Sequence, residues 1–411
     1  MDETTTTQHP TDTAPQQRVR TALVIGGGIA GPVVATALQQ VGIRATVCEA
    51  YAGTADGVGG GMGFAPNGLQ ALDAVGIGNA VRAVSTPMEG MVIESWNGRQ
   101  LGEFGNLPGI PPQRFVERSD LYRVLNDAAE AGGVTTLTGR RLVDAVDDGT
   151  QVTARFADGT TATADLLIGA DGIHSTVRRL IDPAAPEAQY AGTHSFGAWV
   201  EDSGLPDTGG KMRMSFGKRA FLGWQVFEDG RCLWFVNLPS PMPVTVAEQR
   251  AKGAEFWLRT MVELFREDAS PAVRLLERTD PEALIFAGSM EFMPPVPNWS
   301  RGRIVLVGDA VHAPSSSSGQ GASLAIESAV QLARCLRDLP VDRALVAYEQ
   351  LRRPRVERIM KATARTNARK AAGPVGRVVR DALLPLMFRV MKPEKSAWQY
   401  VHPIDFAAPV A

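Results

Sequence analysis

The chain of 411 residues is poor in cysteine: Cys48, Cys232 and Cys335 stand far apart, with no CxxC pair. That excludes a disulfide framework and a cysteine-built zinc site, and it suits a reducing compartment. No run of about eighteen apolar residues occurs, so no segment reads as a membrane-spanning helix. Neither sign of charge dominates. The 42 Lys+Arg and 44 Asp+Glu give a formal net charge of −2, which argues against nucleic acid as an obligate partner. The five histidines form no cluster with metal-ligand spacing, so no metal is expected. The first twenty residues are rich in Thr, Gln and Pro and lack an apolar core, which excludes a signal peptide or anchor. Met1–Gln17 reads as a disordered tail. No internal repeat is visible, and the protein is expected to be cytoplasmic.

What is present is strongly patterned. Thr21–Ala50, "TALVIGGGIAGPVVATALQQVGIRATVCEA", reads as strand, glycine turn, helix and second strand. Ala30, Val33, Val34, Ala37, Leu38 and Val41 recur at helical spacing, Pro32 falls in the first turn, and Gly42 stands where a helix stops. Gly26, Gly28 and Gly31 form a GxGxxG between that strand and helix, with Ile29 and Ala30 opening the helix. The first glycine permits the tight turn, the second admits a pyrophosphate, and the third lets helix and strand pack. Glu49 ends the second strand, placed to accept both ribose hydroxyls. Taken alone, this motif does not separate NAD from FAD.

Two further strand ends carry polar turns. "GADGIHSTVRRL" (Gly169–Leu180) presents Asp171, Ser175 and Arg178; by itself it reads as an ordinary turn into a capped helix. "RIVLV" (Arg303–Val307) leads into "GDAVHAPSSSSGQGASLAIESA" (Gly308–Ala329), where Asp309 can accept from a polyol hydroxyl. Gly319-Gln320-Gly321 there offers backbone N–H groups at a helix start. Elsewhere Met91–Phe104 reads as a hairpin turning at Asn97-Gly98, and Ser119–Gly133 as a helix with a Ser or Asp cap. Val152–Gly172 is a second hairpin, turning at Asp158-Gly159. Lys211–Pro239 alternates like an antiparallel sheet, with a turn at Asp229-Gly230. Helical patterns follow from Val246 to Leu276.

Together these stretches resemble the FAD-dependent aromatic hydroxylase family, the single-component flavoprotein monooxygenases of the para-hydroxybenzoate hydroxylase fold. The likeness rests on GxGxxG…E at Gly26–Glu49, on "ADGIHSTVR" at Ala170–Arg178 and on "GDAVH…GQG" at Gly308–Gly321, in the family's order. It covers nearly the whole chain from about Arg20 onward, and three coupled motifs are far more specific than one. Arg118, ahead of "SDLYRVL", matches the family's FAD-contacting arginine. Gly59–Gly76, with Gly61, looks like its flavin-side loop and helix. The resemblance implies that Gly26, Gly28 and Gly31 cradle the FAD pyrophosphate and that Glu49 holds the adenosine ribose. It implies that Asp309 binds the ribityl or pyrophosphate region, and that Gly321 and Ala322 point N–H groups at the pyrimidine edge. Asp171 and Arg178 belong to a motif serving both FAD and NAD(P)H. There is no second GxGxxG between strand and helix, in keeping with a family that lacks a separate nicotinamide domain. Two departures stand out: Ser316 takes the place of the family's usual proline, three residues before Gly-Gln-Gly, and Ala50 follows Glu49 where many members carry a basic residue. Flavin halogenases share the fold, but no two of the seven tryptophans stand in their WxWxIP spacing.

The implied fold is α/β. A Rossmann-like FAD-binding domain is built from residues 20–85, 109–185 and 291–360, after a tail at 1–19. Substrate-domain strands at 86–108 and a β-rich substrate domain at 186–290 are inserted, and a helical C-terminal segment follows at 361–411. In that fold the inserted sheet roofs the substrate cavity. Trp199, Met212, Met214, Phe221, Trp224 and Trp234 read first as core, because alternating strands bury one face in any case. Arg219 and Trp224 are the candidate substrate residues, since their strand is similar to the family's substrate-facing one. His174 reads as a surface turn and His402 as packing for the C-terminus. The cationic run from Arg352 to Lys395 reads as a solvated helix face, with a peripheral membrane contact as its alternative, although Pro385 interrupts a long amphipathic helix.

The implied activity is a monooxygenase using NAD(P)H and O2 to hydroxylate or epoxidise an apolar aromatic or polycyclic small molecule through a flavin C(4a)-hydroperoxide. No side chain is required as nucleophile or obligatory acid; Ser316 is a candidate modulator. The alternatives are a flavin oxidoreductase of the same fold that inserts no oxygen, and a catalytically silent flavin- or ligand-binding protein.

Overall fold

The computed structural model describes residues 18–53, 60–315, 319–370, 374–390 and 393–410. Its nucleotide-binding core is a six-stranded sheet. In spatial order it holds Thr135–Leu137, Arg44–Cys48, Thr21–Ile25, Leu166–Gly169 and Ile304–Leu306, edged by Ser300–Arg301. The first five run parallel and the edge strand antiparallel. Parallel strands are covered on both faces, which explains why "ALVI" and "LLIG" are apolar throughout and buried. One cover is helical: Ala30–Gln40, Arg118–Ala131 and Gly321–Asp338. The other is a three-stranded antiparallel sheet, Leu142–Asp147, Val152–Phe156 and Thr161–Ala164.

The glycine-turn helix stops where the sequence predicts, at Gly42 with φ +80°, and Ile43 N–H donates back to the Leu38 carbonyl at 2.9 Å. The helix expected over Ser119–Gly133 instead begins at Arg118, directly off the strand Arg114–Glu117. Glu117 occupies the cap position without a side-chain bond, so the Ser or Asp cap does not form.

The insert is a seven-stranded sheet ordered Ile285–Phe292, Gln189–Val200, Cys232–Pro239, Phe221–Val226, Lys211–Phe216, Gly90–Ser95 and Gln100–Phe104. Its outer face packs on the helices Val246–Lys252, Ala254–Phe265 and Ala272–Glu277 through Phe196, Leu222, Trp224, Trp234 and Val236. Its inner face gathers Trp199, Met212, Met214, Leu233 and Phe235 against Met88 and Phe115 of the nucleotide-binding side.

The C-terminus departs from a wholly helical segment. A helix Pro374–Val390 runs through Pro385 without a break, and a short 3-10 turn at Pro393–Gln399 leads into an extended tail. That tail is bolted down. Arg334 and Arg337 donate to the carbonyls of Phe406, Ala408 and Pro409, and Val410 N–H donates to Asp338.

Candidate active site

Parallel strands deliver their C-terminal ends to one edge of the sheet, where a crevice forms for a dinucleotide. Here that edge receives Gly26 after Ile25, Glu49 after Cys48, Asp171 after Gly169 and Asp309 after Leu306. The four chain ends are tied to one another. Gly26 N–H donates to the Cys48 carbonyl at 2.9 Å, and Ala170 N–H to the Ile25 carbonyl at 2.8 Å. Gly27 N–H donates to Glu49 Oε2 at 2.6 Å, and Tyr51 N–H donates to Glu49 Oε1.

The glycines differ in what they permit. A Cβ on Gly26 would stand 2.4 Å from the Ala170 carbonyl oxygen, and its φ of +107° also excludes other residues. A Cβ on Gly31 would stand 1.9 Å from the Gly26 carbonyl oxygen. Around Gly28, apart from its own chain neighbours, no atom of the described residues comes within 4 Å of such a Cβ. The protein's own packing therefore does not call for glycine at 28, whereas a pyrophosphate laid against the turn does. This cradle fits FAD.

Asp309 opens the short helix Asp309–His312 and remains reachable by solvent. The protein around it pushes its pKa up, and the nearby Arg118 guanidinium opposes that shift. Arg118 in turn donates to the Tyr122 hydroxyl at 2.6 Å and lies over its ring. Arg118 and Asp309, far apart in sequence, are thus neighbours.

Asp171 and Arg178 act as structure. Asp171 accepts from Ser175 Oγ at 2.5 Å, Thr176 N–H at 2.7 Å and Val177 N–H at 3.1 Å, which fixes the Asp-Gly turn and starts the helix Thr176–Ile181. Burial raises its pKa, against the pull of those donors. Arg178 is 2% exposed and donates to the carbonyls of Ala310 and Ile173, each at 2.8 Å. It ties the second motif to the third.

Gly61 pairs across to Glu117 in a small sheet of Gly61–Phe64, Arg114–Glu117 and Ser85–Pro87. A Cβ there would stand 2.0 Å from the Phe115 ring. Gly319 takes a left-handed φ of +59°, and Gly321 and Ala322 begin the 18-residue helix Gly321–Asp338. Ser316 lies outside the described residues, as does Gly59, the first residue of the flavin-side loop. The two candidate substrate residues lie elsewhere. Trp224 packs into the outer, helix-covered core, and Arg219 is exposed and paired with Glu267 at 3.1 Å. The alternation of the strand puts position 224 on the far face. His174 is exposed and pairs with Glu291 at 3.0 Å.

Sequence reasoning missed a buried polar cluster behind this site. Asn67, fully buried at the start of the helix Pro66–Ala74, donates to Gln320 Oε1 at 3.1 Å and to Glu327 Oε1 at 2.7 Å. Glu327 also lies 2.7 Å from Arg352 and accepts from Arg355 at 2.8 Å. Burial opposes its charge, but the two guanidinium groups hold its pKa down at about 2. His312 donates to or accepts from Ser328 Oγ at 2.8 Å, and burial pushes its pKa down to about 3. An Asn and a Glu at helical spacing among apolar residues were the available signal; their partners are too distant in sequence to have been read.

Comparison with known proteins agrees with this geometry. A family model described as "FAD binding domain" matches residues 19–215 and 295–363. The chain is 30% identical over 353 residues to an FAD-dependent urate hydroxylase of Klebsiella pneumoniae, covering 84% of this chain and 89% of that one. It is 32% identical over 333 residues to a chloroplastic zeaxanthin epoxidase of Oryza sativa subsp. japonica, covering 76% of this chain but only 48% of that protein. The solved structure of Klebsiella pneumoniae HpxO complexed with FAD and uric acid is similar over 91% of this chain and 94% of that one, with a TM-score of 0.80 and 26% identity. With the glycine cradle, the four tied strand ends and these matches in agreement, the chain belongs to the FAD-dependent aromatic hydroxylase family, whose members are flavoprotein monooxygenases that use FAD.

Proposed function

We propose that this chain uses NAD(P)H and O2 to hydroxylate or epoxidise an uncharged, largely apolar aromatic or polycyclic small molecule in the cytoplasm. The observation that carries the substrate class is the inner face of the inserted sheet. Alternation places Met91, Ile93 and Ser95, then Met212, Met214 and Phe216, on that face. Phe221, Gly223 and Gln225, then Leu233, Phe235 and Asn237, then Ser195, Gly197 and Trp199 continue it across the central strands. None of these is ionisable. The strands' charges, Glu94 with Arg213 and Glu103 with Lys211, point the other way. Two charged pairs approach the inner face, Arg380 over Phe216 with Asp381 and Arg231 over Trp199 with Asp229, and each neutralises itself. An anionic substrate buried here would find no unmatched counter-charge on the sheet, and burying an unpaired charge is costly. A neutral ring system buries its surface against Trp199, Phe235 and Met214, and Ser195 and Asn237 offer it hydrogen bonds.

Bound FAD supplies electron transfer from NAD(P)H and activation of O2. The residues of the chain bind and orient. Gly26, Gly28, Gly31 and the N–H groups of Ile29 and Ala30 hold the pyrophosphate, and Glu49 holds the ribose. Arg118 and Asp309 hold the polyol chain, while Asp171 and Arg178 fix the strand ends that carry them. Gly319, Gly321 and Ala322 aim the positive end of a helix at the pyrimidine edge, where it stabilises negative charge. The apolar sheet keeps water from the reacting centre.

The test is NAD(P)H consumption under air with a panel of neutral polycycles and aromatic carboxylates, with product analysed after reaction under ¹⁸O2. Stimulation by neutral compounds and one labelled oxygen in the product are expected. Stimulation by carboxylates alone would overturn the substrate class. Oxidation without label would overturn the oxygen insertion.

A further inference from the structure

The helix Pro374–Val390 is inside out. Its inward side carries the charges: Arg380 and Asp381, each 9% exposed, pair at 2.7 Å. Ser95 donates to Asp381 at 2.5 Å, Arg377 donates to the Lys218 carbonyl, and Arg380 lies 4.2 Å from the centre of the Phe216 ring. Phe388 closes the same side by an edge-on contact with Phe104, ring centres 4.7 Å apart. The outward side is apolar. Val378 is 69% exposed, Val379 50%, Leu383 52%, Leu386 58% and Met387 37%, and Gly376 and Ala382 are the other exposed residues among those described between 376 and 388. A helix in water ordinarily turns the opposite pattern to its surroundings, and a continuous apolar stripe of this kind marks a surface made to be covered.

We propose that this stripe docks on an anionic lipid bilayer, with the helix lying in the plane of the interface. The charge of the chain around it selects that occupant. The sequence carries Arg365, Arg369 and Lys370 before the helix, Arg389 in its last turn, and Lys392 and Lys395 after it, against a single acidic residue, Glu394, across these stretches. A second copy of the chain placed on the stripe would bring cationic flanks together whichever way it ran, and like charges at a contact are repulsive. An anionic surface is attracted by both flanks while the acyl boundary takes the apolar stripe. No helix among the described residues is long and apolar enough to cross a membrane, so the contact is peripheral. The inward side of the helix meets Phe104 and Phe216 at the edge of the inner face described above. Docking would therefore set the edge of the substrate site against the phase in which neutral polycycles concentrate.

The experiment uses the purified FAD-loaded protein and needs no substrate. Its distribution is measured by flotation with vesicles of phosphatidylcholine alone and of phosphatidylcholine mixed with phosphatidylglycerol, at low and high salt. Binding to the mixed vesicles is expected, at least about tenfold weaker on the neutral ones and weakened by salt. The double variant Leu383→Ser, Leu386→Ser should lose at least about tenfold in that binding, with its FAD content and melting curve unchanged. Leu386→Trp should show a blue-shifted emission only with anionic vesicles. Absence of binding to either vesicle would overturn the proposal. So would sedimentation as a dimer that the double variant makes monomeric, since a second copy would then be the cover.

Discussion

Arg178 and Ala310 lie 132 residues apart in sequence, and Arg178 Nη1 donates to the Ala310 carbonyl oxygen at 2.8 Å. The bond joins the helix Thr176–Ile181, which follows one core strand, to the short helix that presents Asp309. Arg178→Ala leaves the buried carbonyl of Ala310 and the part-buried one of Ile173 without this donor. The expected cost is about 3 kcal/mol of stability, with a rise of at least about tenfold in the FAD dissociation constant as Asp309 loses its support. Arg178→Lys should recover little, because one ammonium does not span both carbonyls. Thermal melting and FAD titration check both; FAD affinity unchanged in Arg178→Ala would remove this strut from the account.

Two of the insert's tryptophans, Trp224 and Trp199, should separate stability from ligand response. Trp224→Ala empties part of the helix-covered core, where the side chain is 4% exposed, and should cost about 3–5 kcal/mol. Its response to neutral aromatic ligands should persist. Trp199→Ala, on the inner face beside Phe115 and Phe227, should weaken that response. Denaturant midpoints and ligand-induced flavin absorbance changes are the readouts, and a reversed pattern would invert the assignment of the two faces.

Acid should unfold the protein through the cluster behind the site. Glu327 is held at about 2, below its ordinary 4.5, while His312 and His402 are pushed from 6.5 down to about 3 and about 4. For all three the folded pKa lies below the unfolded one, so the unfolded chain binds more protons as pH falls. The stability they contribute is complete above about pH 6.5. The histidine share is lost as pH falls from there towards 4 and 3, and the Glu327 share between 4.5 and 2. Denaturant midpoints should therefore drop between pH 7 and 4, and drop less in His312→Gln. A flat profile over that range would show that the histidines are not buried neutral.

The strand ends and the glycine turn were legible in the sequence because parallel strands are continuously apolar and the turn residues follow them directly. Gly26, Glu49 and Asp309 need only local order to be placed at one edge. The inner face was not legible. A strand such as "FLGWQV" has large side chains on both faces, so period two alone does not say whether Phe221 or Trp224 meets the helices. Trp224 was misplaced for that reason, while Arg219 lies in the bend before the strand and pairs with Glu267. Arg178 reads as a site residue because it sits in a polar turn, yet its partner is a backbone carbonyl in another motif. In the helix through Pro385, the proline leaves the Asp381 carbonyl without its helical N–H, and Arg99, distant in sequence, donates to that oxygen instead.

Gly28 offers the most direct test of the central claim, that the turn exists to hold FAD. Apart from its own chain neighbours, no atom of the described residues would stand within 4 Å of a Cβ at this position, so Gly28→Ala should fold and melt like the parent apoprotein. The measurement is equilibrium FAD binding to the two apoproteins, followed by flavin fluorescence quenching. The account predicts tight, non-covalent binding by the parent and a loss of at least about a hundredfold in the variant, because backbone approach to the pyrophosphate is blocked. A parent chain that takes up no FAD, or a Gly28→Ala variant that binds it equally well, would contradict it.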